Sequence, residues 1–267
     1  MHKWSKYSLT SETIGLYEEI YENLNIWDCH AHIGHDKDRH KITAAEVLKK
    51  MDESRIDTAV VFPLNNPDDN KMFTLSNNVV YKAYRKYPKR FIPFFRLNPH
   101  FKWRDEFKRC VDLGFKGVKL HPRSQRFKLT FSKVMKIYEK AEKEDLVVML
   151  HAGFGLQEIS EDLSLIAKSF PNLRLIIGHS GFVDLDNVIK KLTKYKNVLF
   201  DTSACKMFDL FDLIKQVDSS KIIFGSDIPY YDIDLALESV MDASIMLKKT
   251  PNQIRKILGG NLMRWFR

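Results

Sequence analysis

Short, almost wholly apolar runs alternate along this chain with stretches whose apolar residues recur every three to four positions. The runs are "NIWDCHAH", "TAVVFPL", "RFIPFFRL", "KGVKLH", "LVVMLHA", "LRLIIGH", "NVLFDTS" and "KIIFGSD". A strand covered on both faces reads as continuous hydrophobicity, so these runs predict parallel strands buried between layers. The stretches between them, such as "AAEVLKKMDES", "FSKVMKIYEKAEK" and "LDNVIKKLTKY", place their apolar residues on one stripe of a helix. His151 and His179 stand 28 residues apart, and Asp201 and Asp227 stand 26 apart, which suits one strand plus one helix per unit. Eight such units predict an α/β fold, a (β/α)8 TIM barrel spanning residues 1–267 as one domain. A helix over Ser11–Leu24, within an N-terminal extension of residues 1–25, should lie outside it, and "LALESVMDASIML" and "PNQIRKILGGNLMRWF" should close it as C-terminal helices. A doubly wound open sheet is the alternative, but no glycine-rich phosphate turn follows the first strand.

The chemistry of such a barrel sits at the C-terminal ends of its strands. Those ends carry His30 and His32 on the first strand, Arg96 on the third, and Lys119 with His121 on the fourth. His151, His179, Asp201 and Asp227 end the fifth to eighth. Side chains alternate along a strand, so Asp28, His30 and His32 should share one face, with Trp27, Cys29, Ala31 and Ile33 on the other. Paired neutral imidazoles are a metal grip, and Asp28 is expected to support them from deeper in the barrel. Cys29 should pack against the helices. His35 and His40, in "GHDKDRHK", read as solvated loop residues, and His100 as the end of a strand.

Composition narrows the function classes. The chain has 267 residues, is 44% hydrophobic and carries a net charge of +9. Its lysines and arginines are scattered over helix faces rather than gathered in a stripe, and no nucleic-acid-reading motif is visible, so the charge does not point to nucleic acid. No apolar stretch reaches the roughly 20 residues that span a bilayer, and the N-terminus is too polar for a signal peptide. Three separated cysteines, Cys29, Cys110 and Cys205, argue against a disulfide framework or a cysteine zinc site and for a reducing, cytoplasmic setting.

The ordered set "DCHAH", "VKLHP", "HAG", "GHSG" and "GSDIP", with the closing "GGNLMRWF", resembles the metal-dependent amidohydrolase superfamily. The nearest branch is the amidohydrolase-2 group, which contains aminocarboxymuconate-semialdehyde decarboxylase and related hydrolases. The resemblance implies one divalent metal, usually zinc, held by His30, His32, His151 and Asp227, with His179 as an acid/base group. In dinuclear members the sixth-strand histidine is itself a ligand, and a fourth-strand lysine, at the place of Lys119, is carboxylated and bridges two metals. We expect an unmodified Lys119 facing the substrate, with pairing to a rim carboxylate such as Asp201 as the alternative.

These residues allow hydrolysis of an amide, lactone or ester. A bound metal lowers the pKa of water from about 15.7 toward roughly 7, with Asp227 as general base and His179 as partner in polarisation or proton return. Arg96, Lys119, His121 and Arg123 predict a small carboxylate-bearing substrate, because guanidinium groups bind carboxylates bidentately. A metal-dependent decarboxylase of the same branch is the alternative. A TatD-type nuclease would need a glutamate where Lys119 stands. Association into a homo-oligomer is left open by the sequence.

Overall fold

A computed structural model describes Gly15 and residues 24–69, 71–156 and 158–266. Apart from Gly15 and Leu24, the helix expected over Ser11–Leu24 lies outside the described residues. The strands are β1 (Ile26–His35), β2 (Lys41–Ile42), β3 (Ile56–Pro63), β4 (Phe91–Arg96), β5 (Gly117–Leu120), β6 (Val147–His151), β7 (Arg174–Gly178), β8 (Val198–Asp201) and β9 (Ile222–Ile223). They form one sheet in the order β2-β1-β3-β4-β5-β6-β7-β8-β9. β2 folds back antiparallel on β1, and every other pairing is parallel.

The two ends of the sheet meet. The Cys29 amide donates to the Phe224 carbonyl (2.9 Å), the Asp227 amide to the His30 carbonyl (2.8 Å), and the His32 amide to the Ile228 carbonyl (2.9 Å). Closure into the expected TIM barrel removes both sheet edges. The helices α1 (Ala44–Glu53), α2 (Thr74–Lys86), α3 (Trp103–Asp112), α4 (Pro122–Gln125), α5 (Ser132–Lys143), α6 (Ser160–Ser169), α7 (Leu185–Leu192), α8 (Met207–Gln216) and α9 (Ile233–Met246) follow the strands. Local chemistry sets their ends. Thr43 Oγ1 accepts from the Glu46 amide while the Glu46 carboxylate accepts from the Thr43 amide, a reciprocal cap that starts α1.

Two apolar clusters confirm the layering. The larger lies between strands and helices and includes Val61, Val118, Leu150 and Ile177 together with helix residues such as Val47, Ile137 and Val188. The smaller fills the barrel interior with Val60, Phe62, Phe94, Met149, Ile176 and Leu199. Cys29 belongs to this inner cluster, which corrects its expected place against the helices. The cause is local: the register of β1 on β3 shifts between Asp28 and Ala31, a bulge that interrupts strict alternation. Asp28 Oδ1 accepts from the His30 amide two residues on (2.8 Å), which turns the backbone at that point. β2 and the short α4 lie outside the apolar runs and helical stretches of the sequence.

Gly117 shows how tightly the interior is filled. It pairs with Phe94 on one side and Val147 on the other. A methyl group there would meet the Phe94 ring within 2.4 to 2.6 Å and the Val147 carbonyl oxygen at 2.5 Å. Gly117→Ala should therefore cost about 1–3 kcal/mol, the usual range for overpacking a filled core. Urea unfolding of the two proteins measures the difference, and equal midpoints would show that Phe94 can move aside.

Candidate active site

A cavity of about 440 Å³ opens at the C-terminal end of the barrel. Its walls include His30, His32, Arg96, Lys119, His121, Arg123, His151, His179 and Asp227, so all nine predicted site residues face one space. A larger cavity, about 680 Å³, opens at the N-terminal ends of β1 and β3. It is lined by Arg55, Asp57, Lys89 and Arg90 with no histidine, and the chemistry converges on the smaller one.

The donor atoms come together closely. One ligand atom each from His30, His179 and Asp227 lies within 4.8 Å of the other two, a spacing that could hold a metal ion. His32 Nε2 is 3.1 Å from Asp227 Oδ1, and His30 Nε2 is 3.3 Å from the same oxygen. His151 joins through His179, with Nδ1 and Nε2 3.0 Å apart, and its ring stacks on His121 at 3.7 Å between centroids.

The partners of these rings set their tautomers. His30 Nδ1 donates to Asp201 Oδ2 (2.6 Å), which leaves Nε2 bare toward the cluster. His179 Nδ1 donates to the Ser203 carbonyl (3.2 Å), which leaves its Nε2 bare. His151 Nε2 donates to the Phe154 carbonyl (3.3 Å), so its Nδ1 is bare as well. The lone pairs of His151 and His179 then face each other at 3.0 Å. Two lone pairs at that distance repel unless a cation or a proton lies between them.

Electrostatics point the same way. Burial pushes the His30, His32 and His179 rings well below the usual histidine pKa and takes His151 down to about 3, so all four are neutral donors near pH 7. Burial pushes Asp227 up against the opposing pull of Lys119. An added cation would keep that carboxylate ionised. Neutral imidazoles, bare lone pairs and a buried carboxylate fit a divalent metal. Burial also brings Lys119 down to about 7; its Nζ sits 3.0 Å from His30 Nε2 and 4.6 Å above the Phe62 ring. His179 and Asp227 both take left-handed backbone, with φ of 59° and 62°. Such strain in non-glycine residues gathers at functional sites.

Several supporting residues were missed or misplaced in the sequence reading. Asp201, weighed as a partner for Lys119, instead takes the His30 ring, the His179 amide (3.1 Å) and the Ser203 hydroxyl (2.5 Å). Ser203, unnoticed in "DTS", also places its Oγ 2.9 Å from His179 Nδ1. Asp28 holds the bulge to Ser226 beside Asp227, accepting from its amide (3.0 Å) and hydroxyl (2.5 Å). Asp36, expected in a solvated loop with His40, is buried and accepts from the Tyr230 hydroxyl (2.6 Å), with His40 Nδ1 3.3 Å away. Tyr230 and Tyr231, directly after "SDIP", line the cavity. His100 lies in the turn after β4, where Nε2 meets the Gln125 and Arg126 carbonyls.

Fold and site together define a (β/α)8 barrel enzyme with a histidine–carboxylate cluster at its catalytic mouth. The model of the second amidohydrolase family, described as "Amidohydrolase", matches residues 27–267, and the chain belongs to that family. No curated protein matches the chain. Among solved structures, 5-carboxyvanillate decarboxylase from Sphingomonas paucimobilis is similar with a TM-score of 0.71 and 14% identity, over 92% of this chain and 99% of that one. A probable 2-pyrone-4,6-dicarboxylic acid hydrolase from Acinetobacter baumannii, with citric acid bound, gives 0.66 and 18% over 91% and 99%. A dihydroxybenzoic acid decarboxylase from Polaromonas sp. JS666, with bound manganese and the inhibitor 2-nitroresorcinol, gives 0.69 and 18% over 91% and 97%. At these identities the likeness is one of fold.

Asp201→Asn should keep the barrel closed but loosen the orientation of the His30 ring. Metal affinity should fall roughly 10- to 100-fold, the usual effect of removing a partner behind a ligating histidine. Competition for zinc against a chromophoric chelator reads this out, and an unchanged affinity would separate Asp201 from metal binding.

Proposed function

We propose that this protein is a metal-dependent hydrolase acting on an amide, lactone or ester bond of a small carboxylate-bearing substrate. The observation that carries the substrate class is Arg96. Its side chain is only 1% exposed, its Nε has no partner, and no carboxylate pairs with it among the described residues. Its guanidinium reaches the Pro63 carbonyl (3.2 Å), Ser124 Oγ (3.4 Å) and the face of the Phe73 ring (5.0 Å to the centroid), none of them an anion, and it borders the cavity. Burial pulls it down to about 10, so it remains a cation near neutral pH. A buried cation without a counter-ion is costly, and a substrate carboxylate is the group that relieves it.

His30, His32, His151 and Asp227 would hold one divalent ion, with His179 beside them as the acid/base group. Nitrogen and oxygen donors suit zinc, and manganese is an outcome to test. The ion supplies Lewis acidity toward a carbonyl and toward water. The remaining work falls to the chain. Asp227 takes the proton of the attacking water and returns it to the leaving group. His179, its Nδ1–H held by Ser203, keeps an unprotonated Nε2 that can accept that proton and pass it on to the leaving group, while Lys119 and His121 contact the substrate beside it. An unmodified Lys119, in its protonated form, disfavours a second metal. No helix among the described residues is long and apolar enough to cross a membrane, and the three unpaired cysteines support a reducing, cytoplasmic setting.

Decarboxylation is the second reading, favoured by the decarboxylases among the solved structures of this fold. Turnover in ¹⁸O-labelled water decides between the two. Label in the product supports hydrolysis, whereas carbon dioxide release without label overturns it. Arg96→Met should raise KM for the carboxylate substrate roughly 10- to 100-fold, the worth of a charge-assisted hydrogen bond of about 1.5–3 kcal/mol. Metal content should not change. An unaltered KM would remove the substrate class.

A further inference from the structure

Arg96 is held from behind by the helix that precedes its strand. β3 pairs with β4 only as far as Val61 and Pro93, so the main chain of Arg96, three residues farther on, has no partner from β3 in the sheet. The Asn77 side chain on α2 takes that place. Its Nδ2 donates to the Arg96 carbonyl (3.0 Å), and its Oδ1 accepts from the Arg96 amide (2.8 Å). One carboxamide thus satisfies both polar groups of a single strand residue, as a neighbouring strand would. The same Nδ2 donates to Glu106 Oε1 on α3 (2.8 Å). A carboxylate only accepts, so this bond fixes which way round the amide sits. Glu106 is itself buried, and it accepts from Arg109 Nε (2.8 Å) and Nη2 (2.6 Å) and from Thr74 Oγ1 (3.0 Å). Burial alone would raise its carboxyl, yet the bonds from Arg109, Asn77 and Thr74 hold it below the usual range. The line from Arg109 through Glu106 to Asn77 therefore ends on Arg96, and Asn77 is fully buried behind the cavity wall.

Phe73 holds the other end of the arginine. Its ring, also fully buried, lies under the guanidinium at 5.0 Å from the centroid. Phe73 occupies the N-cap of α2, where serine, threonine, asparagine and aspartate are preferred, and it makes no capping hydrogen bond. Its φ of 61° is left-handed, which is uncommon for a bulky side chain. Asp69 supplies a cap from the preceding loop, accepting from the Ser76 amide (2.6 Å). Helix-end chemistry therefore explains neither the phenylalanine nor its backbone, whereas the place of the ring under Arg96 explains both. The Asn77 amide donates to the Phe73 carbonyl (2.8 Å), so the two residues stand one turn apart on one face. A single helix end thus holds the guanidinium and the main chain of Arg96 together.

We propose that the N-terminal end of α2 is the holding element for Arg96, with Asn77 as a positioning residue that fixes its main chain and Phe73 as the face that fixes its guanidinium. This rests on the reading of Arg96 as the carboxylate receptor and goes beyond it, because it names what keeps that guanidinium aimed into the cavity. A side chain that is already immobilised loses less entropy when an anion arrives. Loosening the hold should therefore appear in anion affinity and not in metal affinity, since neither Asn77 nor Phe73 touches the histidine cluster.

Calorimetry on the metal-loaded full chain tests it with benzoate and butyrate as probes. Asn77→Ala should weaken the probe that binds by roughly tenfold, about the entropy of immobilising one long side chain. Zinc affinity, read by competition with a chromophoric chelator, should not change. In the crystal structure of the variant the Arg96 guanidinium should leave the Phe73 ring while the histidine cluster keeps its place. Phe73→Leu, which keeps the core filled, should give the same pattern with a loss of roughly two- to fivefold, the low end for a cation–π contact. If thermal melting shows that Asn77→Ala does not fold, the same three readings on Phe73→Leu decide. Unchanged anion affinity in both variants, equal losses of anion and zinc affinity, or an Arg96 guanidinium that has not moved would overturn the proposal. Arg96→Met separates the two ideas. If it weakens the probe while the α2 variants do not, the holding role fails and the reading of Arg96 stands. If it leaves the probe unaffected, or neither probe binds the wild type, the reading of Arg96 fails first and the proposal with it.

Discussion

The hydrogen bond from the Asp227 amide to the His30 carbonyl, 2.8 Å long, joins the last strand region to the first. It lies between the Cys29–Phe224 and His32–Ile228 bonds, so barrel closure and site assembly are one event. Before closure His30 and Asp227 sit almost 200 residues apart in the chain. After it, their donor atoms are 3.3 Å apart. Everything at the mouth is referenced to this seam. Asp28 braces it from the β1 bulge through Ser226, and Asp201 reaches in from β8 to fix the His30 ring and the His179 amide.

Burial turns this scaffold into a reactive centre. Removed from water, the histidines lose their protons and become donors. Their second nitrogens are committed to Asp201, Ser203 and Phe154, so the remaining lone pairs all point inward. Bare nitrogens face each other at 3.0 Å, a spacing that favours a cation between them, and the Arg96 guanidinium, with no carboxylate partner among the described residues, favours an anion beside it. Preorganised donors of this kind spend little reorganisation energy when a charged ligand arrives.

The same burial shapes selectivity. Arg96 carries positive charge deep in the cavity, beside Lys119, which burial brings down to about 7, while Arg123 and Arg126 carry it at the rim. Tyr230 ties the loop after β1 to the loop that carries Asp227, its ring standing at 5.4 Å from His32 and 4.6 Å from His40. The opening is therefore framed by elements from both ends of the chain.

The sequence by itself determined the barrel and the list of residues around its mouth. Continuous apolar runs at a spacing of 26 to 28 residues admit few other folds, and a polar residue ending such a run must face the loops. His30, His32, His151, His179 and Asp227 were legible for that reason. Only the tertiary structure decided how they are held. The β1 bulge breaks the two-residue alternation and turns Cys29 inward, where the Asp28 carboxylate takes the His30 amide and also reaches Ser226 across the seam. Asp201, Ser203, Asp36 and Tyr230 looked like ordinary rim or loop residues, since a hydrogen bond between positions 171 or 194 residues apart leaves no local trace in the chain. Pattern fixes which face a side chain takes; which partner it meets there depends on barrel closure, a global property that no short stretch encodes.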